Sequence, residues 1–250
     1  MKDSKQYSKK VAAFYKKYKS TTTLKPFENE DKVDNLVYSV LYEHLSCEEV
    51  DLCAELMKKH FVDWNDLRVS RMEEVLDVLS PANLSVDIKK RVANQLIKSL
   101  NCVFAKYDRI SFEDIDELGK RQANQELSEL EEFTPFMIDF LMLNFKGSHS
   151  LPVNLNMVEY AKRTGLVHAD AEYQDVSSFL QRQVSVDDVY DFYLTLRQQA
   201  EAPEDQQESS AKTKKKTAAK KTSSKSSKKA STKKTAKKTT KKTSKKKSKK

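Results

Sequence analysis

The chain has 250 residues, of which 46 are Lys or Arg and 37 are Asp or Glu, for a formal net charge of +9. Its three cysteines, Cys47, Cys53 and Cys102, are odd in number and unclustered, which argues against a disulfide framework and fits a reducing cytoplasm. No apolar run approaches the ~18 residues of a membrane span, and the lysine-rich N-terminus lacks the apolar core of a secretory signal.

The charge is divided by position. Residues 1–19 hold seven Lys and one Asp, residues 20–210 hold 19 basic and 36 acidic residues, and residues 211–250 hold 20 Lys and no acid. An acidic body of −17 therefore lies between a basic segment of +6 and a basic tail of +20. Such asymmetry points to a polyanionic partner.

In chain order, residues 1–24 read as a basic N-terminal segment and residues 25–200 as an all-α, two-lobed body. The body has few alternating β-type runs, and the chain has only three glycines, Gly119, Gly147 and Gly165. Leu36, Val37, Val40 and Leu41 have helical spacing, as do Val50, Cys53, Ala54, Met57 and Phe61. Val92, Leu96, Ile97 and Leu100 mark a third helix. Ser46-x-x-Glu49, Ser70-x-x-Glu73 and, more loosely, Ser185-x-x-Asp188 read as capping-box starts. The most apolar stretch, Phe133 to Phe145, predicts a central buried helix. Val189, Phe192, Tyr193 and Leu196 mark a last amphipathic helix.

Residues 201–210 read as an acidic linker. Beyond them only Lys, Thr, Ser and Ala occur, so no side chain can offset the entropy of ordering the backbone. The sequence predicts a disordered tail whose candidate DNA-binding residues are Lys212, Lys214, Lys215, Lys216, Lys220, Lys221, Lys228, Lys229, Lys233, Lys234, Lys237, Lys238, Lys241, Lys242, Lys245, Lys246, Lys247, Lys249 and Lys250. In composition it resembles the lysine-rich tails of linker histones and of bacterial nucleoid proteins. Membrane-surface binding is not expected, because no apolar face accompanies the charges.

Four strings in the body resemble the helix-hairpin-helix (HhH-GPD) DNA glycosylase superfamily, nearest its endonuclease III branch. Lys25-Pro-Phe27 with Asn35–Leu41 is similar to the opening helix. Lys89–Ile97 resembles the helix that reads K-A-x-x-I in the family. Leu130–Leu141 sits where the family has L-P-G-V-G-x-K-T-A, and Val153-Asn-Leu-Asn156 with Arg163-Thr164 sits where it has V-D-T-H and a downstream R-T. From Leu130 to Arg163 the spacing matches without a gap. The resemblance implies a two-lobed helical fold, DNA as partner and base excision as activity.

The departures fall on the positions that carry the family's chemistry. The hairpin that holds a DNA phosphate corresponds to Glu131, Glu132, Phe133 and Thr134, with Glu132 and Thr134 in place of its two glycines. Glycine allows the backbone to approach a phosphate, whereas carboxylates repel it. Phe136 stands where bifunctional members carry the amine nucleophile, and Asn154 where the family has its near-universal Asp. The Gln-bearing turn corresponds roughly to Glu43-His44. No Cys follows Cys102, so the family's iron–sulfur cluster is not expected.

Other candidates have plainer readings. Ser148-His149-Ser150 reads as a polar turn rather than a nucleophile, and His168-Ala-Asp170 as a loop and helix start rather than a metal site. Glu48-Glu49 and Glu131-Glu132 read as acids near helix starts. No phosphate-loop glycine motif is present. The expected function is therefore that of a nucleoid-associated cytoplasmic DNA-binding protein without catalysis or cofactor, holding DNA non-specifically through its tail. The alternatives are an active but atypical glycosylase/AP lyase, and a non-enzymatic scaffold for RNA or protein.

Overall fold

The computed structural model describes residues 4–28 and 31–203. The linker beyond Pro203 and all the tail lysines from Lys212 to Lys250 lie outside the described residues. The elements in order are α1 (Ser4–Tyr18), α2 (Lys32–His44), α3 (Cys47–His60), α4 (Trp64–Val69), α5 (Met72–Val78), α6 (Val86–Tyr107), α7 (Glu113–Glu117), α8 (Lys120–Ser128), α9 (Pro135–Lys146), α10 (Leu155–Arg163), α11 (Tyr173–Gln181) and α12 (Val189–Glu201). No strand occurs among the described residues.

Local chemistry sets the helix ends. Asp31 caps α2 by accepting from the Val33 and Asp34 amides, and Ser46 and Glu49 complete the expected capping box on α3. Ser70 departs from expectation. It follows the last residue of α4, and its hydroxyl donates back to the Leu67 carbonyl at 2.7 Å, so α5 starts at Met72 without a side-chain cap. Ser185 accepts from the Asp188 amide at 3.3 Å, but in a turn that precedes α12 rather than as its N-cap. Gly147 (φ 51°) ends α9, and Gly165 (φ 69°) follows α10, where the Leu166 amide reaches back to the Ala161 carbonyl at 2.9 Å. Both occupy the left-handed region that glycine enters without steric cost.

The body holds two apolar cores, and both include residues from α9. One gathers α2 to α6 with Phe112, Ile115, Ala123 and Leu127, and takes Met137, Leu141 and Met142 from α9. The other gathers α10, α11 and α12 and takes Leu143. The N-terminal segment, read from the sequence as a basic region ahead of the body, contributes to this second core. Val11 and Phe14 of α1 are 1% and 7% exposed, and Phe14 packs against Phe192 and Tyr160. Full burial of such a side chain is worth roughly 1.5–3 kcal/mol, enough to hold α1 down despite its lysines.

A buried arginine ties the lobes together. Arg197 of α12, 1% exposed, donates to the Tyr42 carbonyl (2.8 Å), the Leu45 carbonyl (2.6 Å) and the Tyr193 hydroxyl (3.0 Å). Its Nε lies 2.7 Å from Glu201, whose carboxylate also accepts from the Cys47 amide at 3.1 Å. The guanidinium thus satisfies carbonyls left open at the end of α2. Glu201, assigned from the sequence to the linker, is the last residue of α12 and completes this pair.

Candidate functional site

The positions that the sequence reading aligned with the glycosylase chemistry converge where the end of α2, the start of α9 and the start of α10 meet. Thr134 caps α9 by accepting from the Met137 amide at 3.2 Å, and its hydroxyl donates to Glu43 at 2.7 Å. The turn ahead of it is anchored to α6, because Gln95 donates to the Glu132 carbonyl at 2.5 Å and Lys98 lies 3.6 Å from the Glu132 carboxylate. Glu131 is exposed and Phe133 is 8% exposed. The hairpin-equivalent residues thus form a compact turn with an acidic outer edge.

Phe136 and Asn154 are both built into the structure. Phe136 is 1% exposed and stacks on Phe140 with centroids 6.2 Å apart. Phe140 in turn packs against Tyr42 at 5.5 Å and Phe27 at 5.8 Å, forming an aromatic seam beside the two cores. Asn154, 5% exposed, caps α10 by accepting from the Met157 amide at 3.0 Å, and its amide nitrogen donates to the Tyr42 carbonyl at 3.4 Å. Position 136 therefore offers a buried ring and no amine. Position 154 offers a neutral amide whose oxygen caps α10.

Two residues not singled out in the sequence, Asp139 and Tyr173, complete the cluster with Glu43 and His44. Asp139 lies one turn into α9, and burial raises its carboxyl to about 7 even though a bond from Ser150 opposes the shift. Glu43 is shifted up by burial as well, against the bond from Thr134. Tyr173 donates to the Val153 carbonyl. Burial raises its hydroxyl, and the nearby Glu43 and Asp139 carboxyls raise it further. His44, one residue from Glu43, is pushed down by burial and then by Arg91. The site is an acid-rich polar cluster in which desolvation favours neutral carboxyls. One signal for it was present in the sequence: Asp139 is the only charged residue in the apolar run 133–145.

A cleft of roughly 180 Å³ lies against the aromatic seam, lined by Phe27, Tyr42, Phe140, Tyr190 and Arg197 among others. Phe136, Asp139 and Asn154 do not line it. The remaining sequence candidates are structural. Ser148 donates to the Met142 carbonyl, His149 meets the Val184 carbonyl, and His168 Nδ1 accepts from the Asp170 amide. Glu49 serves the capping box. No group of three or more His, Cys, Asp or Glu is placed to hold a metal among the described residues. Cys53 is buried in a core and Cys47 sits on Arg197, so the cysteines do not fit an iron–sulfur cluster.

No protein-family model matches the sequence, and no curated protein matches it. Solved structures do match. A trapped covalent endonuclease III–DNA intermediate, an estranged-adenine complex, superposes with a TM-score of 0.58 at 13% identity over 79% of this chain and 85% of that one. The body has the endonuclease III fold. A non-covalent endonuclease III–DNA complex gives the same values. A thermostable thymine-DNA glycosylase gives a TM-score of 0.54 at 16% identity, over 80% of this chain and 88% of that one. In an endonuclease III fold at such low identity, architecture is shared while the chemistry has to be read from the residues present.

Proposed function

We propose that this protein is a nucleoid-associated, DNA-binding relative of endonuclease III that has lost glycosylase and lyase activity and holds DNA mainly through its lysine tail. The observation that carries the loss of catalysis is the use made of two positions. Phe136 is buried in an aromatic stack with no amine to attack a sugar, and Asn154 caps a helix with a neutral amide that has neither the charge nor the basicity of a carboxylate. The acidic edge at Glu131 and Glu132 further weakens phosphate binding at the hairpin. The 20 tail lysines supply what the body lacks. If half of them engage duplex phosphates, log K falls with log salt at a slope of about −9, with little sequence preference.

The test compares the full chain with a form ending at Ser210 on undamaged, abasic and oxidised-base duplexes. The full chain is expected to bind all three with steep salt dependence, the shortened form to lose most affinity, and neither to cut a strand. Cleavage that disappears when a body residue is mutated would overturn the loss of catalysis. Tighter binding to structured RNA at matched salt would favour the scaffold alternative.

A second reading, an atypical glycosylase, has one observation in its favour. Asp139, with its carboxyl at about 7, is tuned for general acid–base work at neutral pH. Release of the base from an oxidised-base duplex, abolished by Asp139→Asn, would establish it.

A further inference from the structure

The lysine tail is not the only basic feature, and the second one is built into the described body. α1, Ser4–Tyr18, has no acidic residue in its sequence and none in its first turn. Its inner face, through Val11 and Phe14, is buried in the second core. At about 100° per residue, Lys5, Lys9 and Lys16 fall within about 40° of one another on the opposite face. All three are exposed, and none meets an acid or a hydrogen-bond partner among the described residues.

What sets the stripe apart is that three such lysines share one face of one helix, whereas many other body lysines are neutralised. Lys19, Lys32, Lys58, Lys106 and Lys146 are each ion-paired. Other lysines of α1 have partners: Lys10 donates inward to the Gly165 carbonyl at 2.9 Å, and Lys17 donates to the exposed Tyr18 hydroxyl at 2.7 Å. The outer stripe is locally unfavourable. Lys5 sits at the positive end of the helix dipole, and Lys5 and Lys9 are a like-charged pair four residues apart. Only Ala12 and Ala13 lie between Lys9 and Lys16 along the outer surface, so the stripe has no apolar wedge for a lipid surface.

We propose that the outer face of α1 is a second nucleic-acid contact, a row of three lysines on a docked helix that binds the phosphates of duplex DNA. Lys5 to Lys16 spans about 16 Å along the helix axis, long enough to meet several phosphates of one duplex, and docking the helix on the core fixes the row before DNA arrives. Flexible lysines lose side-chain entropy on binding, but here the backbone cost is already met by folding. The face therefore orients DNA relative to the acidic body, a task that tail charge alone does not perform. The inference rests on the DNA-binding reading given above.

The test uses the full chain in three variants and a short labelled duplex titrated across a salt series. K5Q/K9Q/K16Q is expected to lower the slope of log K against log salt by about 2 to 3 and, with all three contacts engaged, to weaken binding on the order of 100-fold at ~0.15 M salt. K5R/K9R/K16R is expected to keep the wild-type slope. K25Q/K59Q/K90Q removes the same charge from exposed sites elsewhere on the body and is expected to leave the slope at the wild-type value. Unchanged helicity by circular dichroism keeps the comparison one of charge. Full-strength, salt-steep binding by K5Q/K9Q/K16Q would sink this inference and leave the tail reading intact, as would equal losses in both glutamine variants. Absence of salt-dependent DNA binding in the wild-type chain would sink both readings. Tighter binding of a matched RNA duplex, lost in K5Q/K9Q/K16Q, would overturn DNA as the partner of this face.

Discussion

Asp139→Asn tests the electrostatics of the polar cluster most directly. In the folded chain burial raises this carboxyl from the ordinary value of 3.8 to about 7. Between those two values the native state holds a proton that the unfolded state has released, so unfolding stability falls as pH rises through that window. A gap of about three pH units at ~1.4 kcal/mol each sets an upper bound of about 4 kcal/mol on the destabilisation at pH 8 and above. Relaxation around the site brings the expected value to about 2–4 kcal/mol. Asn keeps the shape and the acceptor for Ser150 and cannot ionise. The variant should match wild type near pH 4 and exceed it by that amount above pH 8. Urea denaturation at a series of pH values, plotted as the difference between the two proteins, cancels the contributions of His44 and the other carboxylates. Glu43 is shifted in the same direction, so Glu43→Gln in the Asp139→Asn background should flatten the profile further. A difference between Asp139→Asn and wild type that stays constant across the range would refute the buried-acid reasoning.

Arg197→Met should cost about 3–5 kcal/mol, because it strands the Glu201 carboxylate and the Tyr42 and Leu45 carbonyls; chemical denaturation measures it, and a loss under 1 kcal/mol would show the staple to be dispensable. Phe136→Lys, which places the glycosylase amine in this site, should destabilise by about 3–5 kcal/mol through lost stacking and a buried ammonium. It should also fail to form a borohydride-trapped adduct with abasic DNA, even combined with Asn154→Asp. Asn154→Ala should cost about 1–2 kcal/mol from the lost cap on α10, read as a shift in the denaturation midpoint.

The helices that bury a regular stripe were legible. α2, α3, α6, α9 and α12 carry enough turns for the apolar period to stand out, and Ser46-x-x-Glu49 marks a start correctly because both partners are local. Helices of five to nine residues, α4, α5, α7 and α8, show too few turns for a period. Ser70 was misread because a Ser-x-x-Glu string does not say whether the hydroxyl looks forward to a new helix or back to the one just ended.

By itself the sequence determined the helical class and the charge asymmetry, since these depend on composition, local period and spacing. Only the tertiary structure decided what individual residues do. It put Phe136 into an aromatic stack, made Asn154 a cap, and brought Glu43, Asp139 and Tyr173, far apart in sequence, into one desolvated cluster. It buried Arg197, which in the sequence reads like any surface charge. It made part of the basic N-terminal segment a docked helix, α1, with Lys5, Lys9 and Lys16 facing out. Desolvation and long-range pairing create these roles, and neither is a property of a residue's neighbours along the chain.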